Sequence, residues 1–249
     1  MRIPRVYTPQ ALNMGRTLEL DGPPSKHLLT VLRLKTGAPL ILFNGDGREF
    51  SARLEGASKN RATVCIDAQQ PARRESPLQI TLLQGVSRGE RMDYTLQKAV
   101  ELGVGRIVPV LTERSIVKLD DKNTPRKLAH WRNVIIGACE QSGRLSVPEL
   151  AEPLRLTALL ADSTGTATLK LLLDPAADTS PRMLARPPER ALALLVGPEG
   201  GLSDAECLLA RRSGFLGIRL GPRILRTETA GLVALSVMQS LWGDLIVWR

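Results

Sequence analysis

Leu194-Leu195-Val196-Gly197-Pro198-Glu199-Gly200-Gly201-Leu202-Ser203 carries an apolar run into a glycine-rich loop. Leu220-Gly221-Pro222-Arg223-Ile224-Leu225-Arg226-Thr227-Glu228-Thr229-Ala230 repeats that plan nearer the C-terminus. In each, a short apolar segment precedes the loop and helical spacing follows it. That order puts both loops at the carboxyl ends of strands in an α/β sheet, where such sheets bind ligands. Two Gly-Pro loops carrying Glu199, Arg226, Glu228 and Thr229 read as one site.

Strands and helices alternate outward from these loops. Strands are expected at 78–86, 106–111, 168–173, 191–196 and 217–220. Residues 191–196 are apolar throughout, as a strand buried on both faces must be. Helices are expected at 90–102, 125–139 and 228–241. Met92, Leu96, Ala99 and Val100 form the stripe of the first, and Gly103 closes it. Ser203-Asp204-Ala205-Glu206 is a capping box that opens another helix. Such alternation predicts a mostly parallel sheet covered by helices on both sides.

Residues 1–70 differ. Runs at 39–43 and 62–66 read as strands, Asn44-Gly45-Asp46-Gly47 as a turn, and 50–54 as a strand pairing back in a hairpin. Residues 27–32 read as a short helix opened by Pro23, Pro24 and Ser25. The segment 71–77, with prolines at both ends, reads as a linker. Two domains are therefore expected, 1–73 and 74–249.

The chain has 249 residues, 43% of them hydrophobic, enough for a substantial core. No apolar run approaches the roughly 20 residues of a membrane span. The opening Met1-Arg2-Ile3-Pro4-Arg5 carries no apolar signal core. Cys65, Cys139 and Cys207 are too far apart in sequence for a metal-ligand pattern and are expected as inert thiols in a reducing cytoplasm. The formal charge is +9, and residues 1–73 hold 11 lysines and arginines against 6 acids. A basic balance of this kind is the footprint of a nucleic-acid binder. Aromatic residues make up only 3%, so phosphate contacts rather than base stacking should carry the affinity.

Several chemistries are disfavoured. Gly103-Val104-Gly105 follows a helix instead of a strand and lacks the third glycine of a dinucleotide loop. There is no P-loop. Backbone amides of 197–201 before a helix would attract an anion, but Glu199 would repel phosphate. The two histidines, His27 and His130, lie outside the loops, which speaks against a Ser-His-Asp triad or a histidine metal site.

Both loops resemble those of the bacterial 16S ribosomal RNA uracil-N3 methyltransferases of the SPOUT superfamily, which use S-adenosylmethionine. The resemblance extends to Arg88-Gly89-Glu90-Arg91-Met92-Asp93-Tyr94 and Gln97-Lys98-Ala99-Val100-Glu101-Leu102-Gly103. It also covers Glu113-Arg114-Ser115, Glu140-Gln141-Ser142-Gly143-Arg144 and Arg2-Ile3-Pro4-Arg5, in the family's order. Only 145–190 matches in general pattern alone. The resemblance implies a PUA-like RNA-binding β-barrel at 1–73, a trefoil-knotted methyltransferase domain at 74–249, and a homodimer whose sites are lined by both subunits.

Within that expectation, Gly197, Gly200 and Gly221 let the backbone approach the cofactor, although turn geometry explains them as well. Leu173, Val196, Leu220, Ile224 and Leu225 are candidates to pack on the adenine, ordinary core packing being the alternative. Glu199 and Thr229 complete the candidate cofactor set. Uracil N3 carries a proton and is a poor nucleophile until it is lost. Arg226 is the candidate for stabilising charge on the base carbonyls, and Glu199 or Glu228 for orienting it or taking the proton. Thr229 could hydrogen-bond the base or cap the helix. Arg2, Arg5, Arg33, Arg88, Arg91, Lys98, Arg114, Gln141 and Arg144 are the candidates for RNA contacts. A ribose 2′-O-methyltransferase is the alternative within the fold, although its Asn-rich motifs are missing. A non-enzymatic RNA-binding or assembly protein, and more distantly a regulatory nucleotide-binding protein, are alternatives from other classes.

Overall fold

Short-range turn chemistry builds the first part of the molecule. The computed structural model describes residues 3–20, 22–58, 61–117, 119–120, 122–161 and 169–246. By internal contacts the chain divides into one unit of Met1–Glu75 with Cys139–Val147 and a second of Ser76–Ala138 with Pro148–Arg249.

The first unit holds β1 (Arg5–Tyr7), β2 (Thr17–Leu20), β3 (Pro39–Phe43), β4 (Glu49–Ser58) and β5 (Arg61–Gln70), in sheet order β1-β3-β4-β5-β2. Only β1 and β3 run parallel. The expected hairpin joins β3 to β4, with Phe43 opposite Glu49. Its turn works because Gly45 and Gly47 take φ of 89° and 88°, which other residues resist. Phe50, Ala52 and Leu54 on β4 and Ala62, Val64 and Ile66 on β5 alternate into one core with Val6, Leu20, Leu28, Leu40 and Leu42. Register shifts at Ser51/Ala52 and Leu54/Gly56 add the bulges that let a sheet curl. The expected helix begins earlier, as α1 (Pro23–Lys26), and widens into a π-helical turn at His27–Val31. Strands β1 and β2 were not expected, being too short to show a period.

A distant segment is tied into this unit by charge. Glu75 accepts from Arg144 Nη2 (2.6 Å) and from the backbone N–H groups of Leu145 (2.8 Å) and Ser146 (3.1 Å). Arg5 ion-pairs with the buried Glu49 and donates to the Arg144 carbonyl at 2.9 Å. Burial pushes the Glu49 carboxyl up, but Arg74 and Arg5 more than reverse this and hold it below the usual range. Glu140 goes the other way: burial raises it, although it accepts the Tyr7 N–H at 2.9 Å.

The second unit is the predicted parallel sheet. It contains β6 (Gln79–Gly85), β7 (Arg106–Leu111), β8 (Glu149–Leu150), β9 (Leu154–Arg155), β10 (Leu169–Leu173), β11 (Ala191–Val196) and β12 (Leu216–Ile218). The order is β12-β10-β11-β6-β7-β8, with β9 also on β7. Its helices are α2 (Glu90–Glu101), the part of α3 (Thr124–Ser142) up to Ala138, α4 (Leu156–Ala161), α5 (Asp204–Arg212) and α6 (Thr227–Trp242). From β6 the chain moves to β7 on one side, whereas β11 and β10 lie on the other. The order therefore reverses between β6 and β11, a switch point whose carboxyl side is the usual place for a ligand.

Strand β12 ends at Ile218, two residues before the expected end, and this releases Leu220 into the following loop. Residue 168, the expected start of β10, lies outside the described residues. No described helix is long and apolar enough to cross a membrane. Helix α5 opens with the expected capping box: Ser203 Oγ accepts from Glu206 N (3.2 Å), and Glu206 Oε2 from Ser203 N (2.9 Å). Glu206 Oε1 also accepts the Glu113 N–H at 2.8 Å, so the cap pins the loop after β7. Ser203→Ala should cost about 1 kcal/mol in urea denaturation. A loss below a few tenths would mean that the cap is redundant.

Candidate active site

The carboxyl ends of β10, β11 and β12 meet the start of α6 around a cavity of about 510 Å³. That size suits a small organic ligand. Contacts across the switch point shape its wall. A Cβ on Gly85, the last residue of β6, would lie 2.4 Å from Pro198 N. One on Gly197 would lie 3.0 Å from the backbone of Gly201 and Leu202. The loop after β11 therefore folds back on itself and touches the end of β6 with no room for a side chain. Thr227, the first residue of α6, completes the tie. It accepts from Gln84 Nε2 at 3.0 Å and donates to the Gly197 carbonyl at 2.5 Å.

Leu173, Val196, Gly197, Glu199, Gly200, Leu220, Ile224, Leu225, Arg226 and Glu228 all line this cavity, so most of the proposed loop residues come together. Ile224 is 86% exposed on its rim. Gly221 and Thr229 are not in the lining. Gly221 has φ of 77°, which assigns it to turn geometry. Thr229, the third residue of α6, is exposed, whereas the buried threonine is Thr227. The Gln84–Thr227 and Gly85–Pro198 contacts escaped sequence reasoning, since each joins residues more than 100 positions apart.

Charge in the cavity is organised by Arg91 of α2. Its Nη1 lies 3.4 Å from Glu199 Oε1 and its Nε 3.9 Å from Glu228 Oε1. Glu199 Oε1 also accepts the backbone N–H of Arg88 at 2.9 Å. Arg226 lines the same cavity and its side chain makes no cap bond to α6, which leaves it available to a ligand. Asp174, at the end of β10, lines the cavity too and pairs with Arg211.

The candidate RNA contacts separate into groups. Arg33 and Arg88 are exposed; Lys98 is half-buried and pairs with Glu101 at 2.7 Å. Gln141 is exposed at the end of α3 and is held with the first unit. Arg114 donates to the Gly200 and Leu202 carbonyls at 3.1 and 3.2 Å, so it braces the glycine loop. Arg91 is engaged with Glu199 and Glu228. Arg5 and Arg144 are withdrawn as phosphate ligands: both are buried, and a phosphate would have to displace Glu49 or Glu75. Arg2 lies outside the described residues. Among the cysteines, burial pushes the Cys139 thiol up to about 12 and raises Cys65 and Cys207 as well, away from reactivity.

An S-adenosylmethionine-sized molecule fits these residues. The cavity offers apolar surface from Leu173, Val196, Leu220 and Leu225, backbone unshielded at Gly197 and Gly200, and acids for a cationic portion.

Known proteins agree with this geometry. Residues 74–239 match the RNA methyltransferase domain family and residues 20–66 the RNA methyltransferase PUA domain family. The ribosomal RNA small subunit methyltransferase E of Buchnera aphidicola subsp. Schizaphis graminum is 34% identical over 246 residues, 98% of each chain. That of Bacillus subtilis is 30% identical over 237 residues, 93% of each chain. The Neisseria gonorrhoeae ribosomal RNA small subunit methyltransferase E, solved with S-adenosyl methionine, superposes with a TM-score of 0.91 at 41% identity, over 98% of this chain and 99% of that one. A Legionella pneumophila protein solved with bound SAM gives 0.94 at 45% identity, over 98% and 100%.

Proposed function

Because this chain belongs to the ribosomal RNA small subunit methyltransferase E family, we propose that it transfers the methyl group of S-adenosylmethionine to N3 of a uridine in 16S ribosomal RNA. Its architecture is the family's, a SPOUT domain with a parallel sheet preceded by a PUA-like domain. The observation that carries the proposal is that one cavity at the switch point holds the glycine loop, Arg226, Glu199 and Glu228 together.

When bound, S-adenosylmethionine supplies an electrophilic methyl on a sulfonium. The chain's residues do the rest. Gly197 and Gly200 let backbone approach the ligand, while Pro198 stiffens the loop. Arg226 donates to a uracil carbonyl flanking N3 as negative charge develops there. A cavity carboxylate receives the N3 proton.

Purified protein, labelled S-adenosylmethionine and small subunits from a strain lacking the modification test this directly. N3-methyluridine in the digested RNA is the expected product. A 2′-O-methylated nucleoside would keep fold and cofactor but overturn the target. No transfer together with no cofactor binding would return the chain to a non-enzymatic role.

RNA binding is assigned to Arg33, Arg88 and Lys98 together with the basic N-terminal unit. Replacing a true phosphate contact among them by alanine should weaken binding evenly across sequences and lower the salt slope by about 1. An unchanged slope would make that residue ordinary surface. The C-terminal domain is read as knotted. The enzyme is also read as a cytoplasmic homodimer, consistent with Val233 and Leu241 exposed on α6 and Leu245 and Ile246 just beyond it. A monomer mass in solution scattering would overturn the dimer.

A further inference from the structure

Resting on the uracil-N3 reading, we propose that Glu228 is the acceptor for the imide N–H of the target base and that Arg91 is the residue that positions it. Glu199 and Glu228 line the cavity beside Asp174 and Asp204, and the structure makes the two glutamates unequal. Glu199 Oε1 is engaged by Arg88 N at 2.9 Å and by Arg91 at 3.4 Å, which anchors the glycine loop to the start of α2. Glu228 Oε1 faces Arg91 Nε at 3.9 Å, but its Oε2 is buried and has no hydrogen-bond partner among the described residues. A buried carboxylate oxygen left without a donor is costly, so it signals a donor that arrives with the substrate.

Uracil brings one. Its Watson–Crick edge presents the N3–H between two carbonyl oxygens. A carboxylate matches the central donor and a guanidinium matches a flanking carbonyl, and the cavity supplies both in Glu228 and Arg226. Cytosine presents a lone pair at N3, which a carboxylate repels. The same group therefore selects the base and takes its proton. The proton passes from N3 to Glu228 Oε2. The N3 electron pair bonds the methyl carbon, and the carbon–sulfur bond breaks with its electrons going to sulfur. Glu228 then releases the proton to solvent. Arg91 touches no reacting atom in this scheme. It spans Glu199 and Glu228 and fixes the carboxylate's direction.

The test compares Glu228→Gln, Glu228→Asp, Arg91→Ala and Arg91→Lys with the wild type. Three readouts are needed: kcat and KM on small subunits, S-adenosylmethionine affinity by calorimetry, and affinity for an RNA hairpin carrying the mapped target as uridine or cytidine. Glu228→Gln should lower kcat about a hundredfold with KM and cofactor affinity changed less than about threefold. Its preference for the uridine hairpin should fall from about tenfold to near one. If that variant does not fold, Glu228→Asp carries the test, with kcat down at least about tenfold. Arg91→Ala should lower kcat about tenfold at unchanged melting temperature, and Arg91→Lys should restore most of it. More than a tenth of wild-type kcat in Glu228→Gln, undiminished uridine preference, or no rescue by lysine would overturn the inference. A wild type that methylates no uracil N3 would overturn the functional reading beneath it, a result distinct from these.

Discussion

Arg226→Ala is expected to lower kcat about a thousandfold while leaving S-adenosylmethionine affinity and RNA affinity within about threefold of wild type. Developing charge on a base carbonyl needs a preorganised cation, and losing one such donor typically costs about 10²–10³ in rate. Among the arginines lining the cavity, Arg226 is the one proposed for this role. It sits at the N-cap of α6 with extended backbone (φ −64°, ψ 155°), so helix and loop fix its Cα while its side chain makes no cap bond. Arg91 and Arg114, by contrast, are already held by carboxylates and loop carbonyls. Arg226→Lys should recover only part of the loss, because an ammonium is a point charge and cannot reproduce the guanidinium fork. Single-turnover kinetics at saturating cofactor would decide the matter. A normal rate in the alanine variant would remove Arg226 from the chemistry and leave it a cavity-wall residue.

What the sequence made legible follows the range over which each feature is determined. The strand Ala191–Val196 appeared within its predicted bounds because burial on both faces leaves a continuous apolar run. The Ser203 cap was readable because both its hydrogen bonds close within three residues. The hairpin turn at Asn44–Gly47 was equally local. Arg5 and Arg144 were read as phosphate ligands because an arginine looks the same in sequence whether solvated or paired. Their carboxylates lie 44 and 69 residues away, and only the fold reveals them. The two threonines show a finer limit. Thr227 and Thr229 share a motif, yet position in the first turn of α6 decides which one turns inward to Gly197 and Gln84. The three residues of β1 have no pattern to read, since their parallel partner β3 lies beyond a whole hairpin's length of chain.

Gly85 is the clearest residue whose importance exists only in three dimensions, and it yields the second large effect. Its backbone angles are ordinary, so local strain does not demand glycine there. A Cβ at this position would instead lie 2.4 Å from Pro198 N, 2.6 Å from Pro198 Cδ and 2.7 Å from the Gly197 carbonyl carbon. These are backbone and ring atoms with no flexible end to swing away. Either β6 or the glycine loop must move. The loop is the more mobile choice, because β6 is paired on both sides, to β11 and β7. Moving the loop breaks the Thr227 bond to Gly197 and shifts the cavity wall. Gly85→Ala is therefore expected to lower stability by about 3 kcal/mol, the upper end of overpacking costs. In the fraction that folds, S-adenosylmethionine affinity should fall at least about a hundredfold, since displacements near 1 Å cost that much in positioned sites. Gly105 serves as the comparison, for a Cβ there would meet only the Ile80 carbonyl at 3.8 Å. Gly105→Ala should bind the cofactor normally. If Gly85→Ala did so too in calorimetry, the close contact between β6 and the glycine loop would not shape the cofactor site.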